Sequence, residues 1–430
     1  MKKILFIFTI TLVFCLIFVN CKNPIVEEEF TENKIPIKNI IAFAPDRFNT
    51  GCDESLISKI TTGNYGEILT YGTDSENPTN VYIEVRDGEK YNDIVINAYA
   101  NKSLADVIKI KNLEFTKKLM PVNSDKEGLY ISNKTIIFEN CKFQNVQHDS
   151  EKLKLIFRNC TFNGNIARGN IELENCRIEK TLKDAMNPLR NFKANKVYVR
   201  NLIHKVSTSG AHVDGVQIFG YKDVLAQNII IENSRFSIPC FQYEGAKTNV
   251  NAALMMQLEF GNADGVTFQN IIIDCGSPWS GPCRSTKPKL LDDGTQLYQK
   301  NVYFKDIKIS PHYPNCFHGD YYKDIIEENI THPNYLYVTS VIQDVNGVTH
   351  VIVTNNTAQD KTLVVKSKNQ SWEFMIPKMP APKPLFKDES YKNLRYQDMP
   401  FDVDCEIPVL LENGTCYDGE TELISFDFND

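Results

Sequence analysis

Apolar and polar positions in the middle of the chain repeat one pattern: two alternating apolar residues, a polar residue that is usually Asn, then apolar residues one and three places later. In order, the segments are VIKIKNLEF, IIFENCKF, LIFRNCTF, IELENCRI, VYVRNLIH, IIIENSRF, VTFQNIII and VYFKDIKI. They are anchored at Asn112, Asn140, Asn159, Asn175, Asn201, Asn233, Asn270 and Asp306. Alternation at period two marks a strand, and an apolar residue directly after the anchor reverses the parity, so the chain has to bend there. Each segment therefore predicts strand, corner, strand. Asn suits the corner because it tolerates left-handed backbone angles and because stacked amides hydrogen-bond from coil to coil.

Before the corner this parity turns inward Ile136 and Phe138, Leu155 and Phe157, Ile171 and Leu173, Val197 and Val199, Ile229 and Ile231, and Val266 and Phe268. After it, Cys141 and Phe143, Cys160 and Phe162, and Cys176 and Ile178 face inward, and the cysteine column reads as small apolar core. Anchor spacings run from 16 to 37 residues, unlike a fixed-period solenoid. Constant strands joined by variable loops predict an all-β, right-handed parallel β-helix in which each coil contacts its neighbours.

Over roughly residues 80 to 310 these segments resemble the pectin-lyase-like superfamily of right-handed parallel β-helix proteins. The resemblance implies the architecture but no single chemistry, since that superfamily includes lyases, hydrolases, epimerases, tailspikes and non-catalytic adhesins. The predicted β-helix covers 81–330. Residues 46–80, with a short helical pattern around Glu54 to Ile60, are expected to cap its first coil. Beyond 330 the anchored pattern stops, and Tyr335 to Ile376 alternates in longer strands broken at Asn346-Gly347 and Asn355-Asn356, which predicts a small antiparallel β unit. Pro377, Pro380, Pro382 and Pro384 then lead into an acidic tail within 331–430.

Met1-Lys2-Lys3 and the apolar run Ile4 to Val19 have the charged start and hydrophobic middle of an export signal over 1–20. The run ends at Cys21, followed by polar residues to 45, which resembles a lipoprotein signal and implies lipidation of Cys21. The expected location is the periplasm or cell surface, with the membrane reached through the lipid alone. A net charge of −7 and the lack of a basic cluster argue against nucleic acid as a partner. Of twelve cysteines, Cys275 with Cys283 and Cys405 with Cys416 are candidate short-loop disulfides, and no spacing suggests a zinc site.

A second motif lies upstream of three corners: Asp214-Gly215-Val216-Gln217-Ile218-Phe219, Met255-Met256-Gln257-Leu258-Glu259-Phe260 and Asp293-Gly294-Thr295-Gln296-Leu297-Tyr298. With Val216, Met256 and Thr295 inward, Gln217, Gln257 and Gln296 share an outward register with Phe219, Glu259 and Tyr298. Adjacent coils lie about 4.8 Å apart, so the strip is ~10 Å long, on the order of two sugar rings. Amides that bond hydroxyls and rings that stack on sugar faces are what a glycan groove requires. The same strip also reads as a ladder of amides that stiffens the sheet.

His212 and Asp214, two residues apart, can share proton transfer, while His204 reads either as a core-edge histidine or as a further participant. Eliminative cleavage of a uronic acid polymer would use His212 as base, Gln217 or Gln257 to neutralise the carboxylate, and Tyr298 as acid. Hydrolysis would use two of Asp214, Glu259 and Asp293. The Asp214-Gly215 and Asp292-Asp293 pairs are similar to acidic elements of polygalacturonases, but His212-Val213 stands where Asn-Thr belongs in that family, and its Gly-His-Gly and Arg-Ile-Lys elements are missing. No cofactor is required; calcium at Asp292 and Asp293 is the one candidate, against a simple turn.

The sequence thus predicts a monomeric, exported, lipid-anchored β-helix protein that binds an acidic or neutral polysaccharide, and it leaves open whether the protein also cleaves it as a lyase or glycoside hydrolase. Its catalytic candidates are His212, Asp214 and Glu259; Gln217, Phe219, Gln257, Asp293, Gln296 and Tyr298 are its binding candidates. The alternative is a non-catalytic adhesin or envelope scaffold.

Overall fold

Strand, corner and strand stack in register from coil to coil. This computed structural model describes residues 37–60, 67–71, 83–86, 93–96, 106–119, 134–148, 150, 152–179, 181, 184–200, 213–220, 224–237, 250–257, 261–274, 281–286, 289–309, 317–318, 325–332, 336–355, 359–366, 371–377, 407–411 and 425–429. From Lys38 onward the chain forms one compact unit.

The first wall of the parallel β-helix contains Val107–Lys111, Thr135–Glu139, Lys154–Arg158, Ile171–Glu174, Arg190–Asn195 and Ala226–Glu232, then the first halves of Ala263–Ile273 and Gln299–Ile309, and ends on Ile325–Thr331. After the corner, the second wall stacks Leu113–Phe115, Lys142–Phe143, Thr161–Phe162, Arg177–Glu179, Tyr198–Arg200 and Arg235–Ser237. Both walls belong to one 17-stranded sheet, and a 10-stranded sheet from Ile83–Arg86 to Phe317–His318 forms the third wall. Pairing turns antiparallel at the N-terminal end, where Glu67–Tyr71 lies against Val107–Lys111 and Ile83–Arg86 pairs with Asp93–Ile96.

The corners are left-handed, as the Asn anchors require. Asn112, Asn140, Asn159, Asn175, Asn233, Asn270 and Asp306 have φ between 50° and 58°. Their amides form ladders: Asn140 Nδ2 donates to Asn112 Oδ1 at 2.7 Å, and Asn175 Nδ2 to Asn159 Oδ1 at 2.7 Å. One coil departs from the expectation. Its corner is Lys196, at φ 53°, so Tyr198–Arg200 pairs with Arg177–Glu179 after the corner and Phe192 and Ala194 fill the column assigned to Val197 and Val199. A lysine carries no corner signal, and Asn195, one residue earlier, takes over the ladder by accepting from Asn233 Nδ2 at 2.8 Å. The expected anchor Asn201 lies outside the described residues. A second left-handed column at Asn170, Asn191, Asn228, Gly265 and Asn301 opens the first-wall strands of later coils.

The interior is a set of columns of like residues. Phe115, Phe143 and Phe162 stack at 4.7 and 5.1 Å, Phe138 stacks on Phe157 at 5.0 Å, and the two columns meet edge to face. Such contacts add about 0.5–1.5 kcal/mol each beyond burial. Cys141, Cys160 and Cys176 are fully buried beside them, their thiols donating to the carbonyls of Ile110, Phe138 and Phe157. Burial pushes the Cys160 thiol well above its ordinary range, as befits core rather than redox chemistry. Cys283 is buried at an inward third-wall position, while Cys275, Cys405 and Cys416 of the expected pairings lie outside the described residues.

Residues 50–58 run along the outside of the second wall and cross successive coils. Gly51 N bonds Asn175 O, Cys52 N bonds Thr161 Oγ1, Asp53 N bonds Asn140 Oδ1 and Ser58 N bonds Asn112 O. The helical pattern in this stretch is a single 3-10 turn, Glu54–Leu56, capped by Asp53. At the other end of the chain, Leu336–Asp344, Thr349–Asn355 and Ile407–Leu411 share an antiparallel sheet, and Lys361–Lys366, Ser371–Ile376 and Ser425–Asn429 form a second. Leu336, Val338, Val341, Val351, Val353, Leu363, Val365 and Ile376 make their core, so segments of the tail complete both sheets of the C-terminal β unit.

The C-terminal unit is joined to the second wall by buried polar groups. Arg235, in the outward column with Tyr198 and Ile272, pairs Nε to Asp274 Oδ2 at 2.5 Å, and both side chains are 0% exposed. Tyr337 donates its hydroxyl to Asp274 Oδ1 at 2.6 Å, and Arg235 Nη2 donates to Thr354 Oγ1 at 2.9 Å. Burial pushes the Tyr337 hydroxyl well above the usual phenol range, so it stays a donor. Asp46, fully buried, takes the Ser340 hydroxyl on Oδ2 at 2.6 Å.

Candidate functional site

On the third wall Val146, Ile166, Met186 and Val216 point inward, so Gln147, Ala167, Asn187 and Gln217 stand in one outward column. Asn187 and Gln217 of this column are already linked to each other and to amides of neighbouring coils. Asn165 Nδ2 donates to Asn187 Oδ1 at 2.6 Å, Asn187 Nδ2 to Gln217 Oε1 at 3.3 Å, and Gln217 Nε2 to Gln257 Oε1 at 2.6 Å. Four coils thus share one hydrogen-bond chain, with every amide oriented by its neighbour.

The expected register of three glutamines differs from the observed one. Gln217 lies opposite Met255, and Gln257 lies opposite Phe219. Alternation fixes which face a residue takes but not a slip of two residues, so the amides meet on a diagonal. Gln296 leaves the sheet altogether. Gly294, at φ 82°, closes a tight turn, and Leu290 and Gln296 bridge antiparallel. Asp293 Oδ1 accepts the Thr295 N–H at 3.0 Å in that turn, at an exposed tip. Among the described residues no three His, Cys, Asp or Glu converge as a metal site.

Tyr298 stands 39% exposed at the corner that enters the first wall, its N–H on Asn262 Oδ1 at 2.8 Å. This corner admits only glycine in the two preceding coils: a Cβ on Gly261 would lie 2.2 Å from the Gly220 carbonyl carbon. His204, His212 and Glu259 lie outside the described residues, as does Cys21.

Asp214 is 0% exposed. Its Oδ1 accepts the Ala252 N–H at 2.8 Å, and its own N–H donates to Asp184 Oδ1 at 2.8 Å. Asp184 Oδ2 in turn accepts Asn187 Nδ2 at 2.8 Å. Asp184 was not among the residues singled out from sequence, yet a signal exists: Asp184-Ala185-Met186-Asn187 repeats the acid, small, apolar, amide order of Asp214-Gly215-Val216-Gln217 one coil earlier. Two acids therefore sit in adjacent coils, the buried one tied into backbone and the half-buried one holding the amide ladder.

The open part of this face lies beside the ladder and toward earlier coils. A groove of about 170 Å3 is lined by Gln147, Ala167, Arg168, Asn187, Pro188, Leu189 and Phe219. Arg168 enters it through an unusual backbone. It pairs in register with His148 and Pro188, and His148 is 2% exposed with Nε2 on Leu153 O at 2.7 Å. Simple alternation would bury Arg168 likewise, but its φ is 85°, a conformation costly for a residue with a Cβ, and the strand breaks there. Lys118 donates to Gln147 Oε1, which brings a second cation to the rim. The groove thus combines amides, an aromatic ring and positive charge; of its residues, only Phe219 was named from sequence.

No known family model matches the chain, and no curated protein or solved structure matches it. The site stands on its own geometry.

Proposed function

We propose that this protein binds a polysaccharide in the third-wall groove around Phe219, Gln147, Asn187 and Arg168. One observation carries the reading: an arginine held on a left-handed backbone beside an aromatic ring and pre-oriented amides. Strain of this kind, of order 1–3 kcal/mol, survives where it serves a function, and oriented amides bind hydroxyls with little ordering cost. Arg168 and Lys118 favour an acidic chain among the acidic and neutral candidates. Glu259, His212 and Asp214 stay the proposed groups for cleavage by a lyase or hydrolase. Full burial of Asp214 suits it to positioning rather than to contact with a sugar, which favours binding as the primary role and keeps the adhesin or scaffold reading in play. No cofactor is invoked.

The sequence of residues 1–21 supports the accompanying proposal that the chain is exported and anchored through Cys21. The deciding experiment is a panel of acidic and neutral polysaccharides offered to the purified chain, reading binding, new reducing ends and new unsaturated ends. Binding that weakens about tenfold, some 1.4 kcal/mol, in Phe219→Ala supports the groove. Binding unchanged in both Phe219→Ala and Arg168→Ala removes it. Product without loss in His212→Ala would move catalysis elsewhere.

A further inference from the structure

The inward first-wall column runs Ile110, Phe138, Phe157, Leu173, Ala194, Ile231, Phe268, Phe304 and then Glu327, each the register partner of the next. Eight apolar residues, all 0% exposed, are followed by a carboxylate. Glu327 belongs to Ile325–Thr331, which among the described strands pairs on one side only, with Gln299–Ile309. Ile325 is buried on the core side, whereas Ile326, Glu327, Glu328 and Asn329 are exposed. Partial burial pushes the Glu327 carboxyl above its ordinary range.

Two polar residues enter the interior of the last full coil. Gln299 follows Ala226 and Ala263 in its column, is 3% exposed, and has no hydrogen-bond partner on either amide atom among the described residues. Ser285, the register partner of Met256, is 5% exposed, and its hydroxyl also lacks a partner among the described residues. The solenoid therefore ends by a change of chemistry in its core.

An edge strand with a bare row of N–H and C=O groups recruits another strand unless something forbids it. We propose that Glu327 is what forbids it, and that the strand it disarms is the same strand of a second copy of this chain. A second copy meeting this end head to head would bring an identical carboxylate to the junction, and two acids against Phe304 cannot both stay charged and dry. A foreign strand would bury one such acid and a second copy two, so the cost is greatest for self-association. Ile326, 48% exposed, and Ile330 on the same strand supply the apolar surface that association would bury once the charge is gone.

The test uses the full chain as wild type, Glu327→Val and Glu327→Lys, with mass measured by light scattering over a dilution series and hydrogen exchange followed by peptide. Wild type and Glu327→Lys should stay monomeric. Glu327→Val should at least double in mass at high concentration, with new amide protection in 325–331. Glu327→Val that stays monomeric with native circular dichroism overturns the proposal, and so does a wild type that already associates through 325–331. Glu327→Lys associating as Glu327→Val does, or protection appearing elsewhere, also overturns it. If Glu327→Val does not fold, Glu327→Gln replaces it under the same criteria.

Discussion

Arg235 Nε and Asp274 Oδ2 lie 2.5 Å apart with both side chains wholly buried, where the outer face of the solenoid meets the C-terminal sheets. A buried pair gains little net stability over a well-packed apolar pair, because desolvation offsets most of the attraction, but losing one member strands the other. Tyr337, Thr354 and the Pro45 carbonyl also hydrogen-bond to the pair, so it fixes where three separate stretches of chain meet.

Arg235→Met is therefore expected to cost about 3–5 kcal/mol, and Arg235→Met with Asp274→Leu clearly less than the single change. Urea denaturation of wild type and the three variants checks the cycle. Equal losses in single and double variants would show that packing, not stranded charge, sets the cost.

The phenylalanine columns should respond by burial. Phe157→Ala, which removes a ring stacked on Phe138, is expected to destabilise by about 3–5 kcal/mol, whereas Ile230→Ala, 40% exposed on the same wall, should change stability by about 0.5 kcal/mol or less. Thermal or chemical unfolding separates the two.

Arg168→Gly relieves the left-handed strain at φ 85°. Relief of about 1 kcal/mol is expected to raise the unfolding midpoint, offset in part by the extra freedom of glycine in the unfolded chain. Glycan binding should fall in the same variant. A protein that gains stability and loses binding together would show that the strain serves the groove; a loss of both would show that Arg168 mainly holds the wall.

Corner chemistry predicts that Asn159→Ala costs about 1–2 kcal/mol and Asn159→Gly less, because alanine meets the left-handed penalty at φ 50° and glycine does not. Equal effects would assign the cost to the lost Asn175 hydrogen bond alone.

On the first wall, burial pushes the Glu139 carboxyl up, but Lys109 and Lys111 together outweigh it and hold the group below its ordinary 4.5. A depressed folded value means that the contribution is present above the unfolded value and lost as pH falls through the folded one. Glu139→Gln should therefore be less stable than wild type at neutral pH by no more than about 1 kcal/mol, with the gap closing in acid and in high salt. Denaturation midpoints across pH test the sign.

The repeated segments determined the architecture because burial in a stacked coil is local: each anchor dictates a left-handed corner, and parity then decides which side chains fill the core. Thus Cys141, Phe143 and their stacked counterparts were legible before any coordinates, and the antiparallel pairing after residue 330 followed from its longer alternation. Only tertiary structure decided the rest. Lys196 takes a left-handed corner without an Asn because the coils on either side hold it there. Gln217 and Gln257 meet diagonally, and Gln296 turns away, because alternation is blind to a slip of two residues and to where a glycine closes a turn. Arg168 reaches the groove through one strained dihedral, Asp274 finds Arg235 and Tyr337 across long sequence separations, and Glu327 ends a column whose eight earlier members are apolar. Such contacts join positions whose local sequence carries no trace of one another, and only the packed chain brings them together.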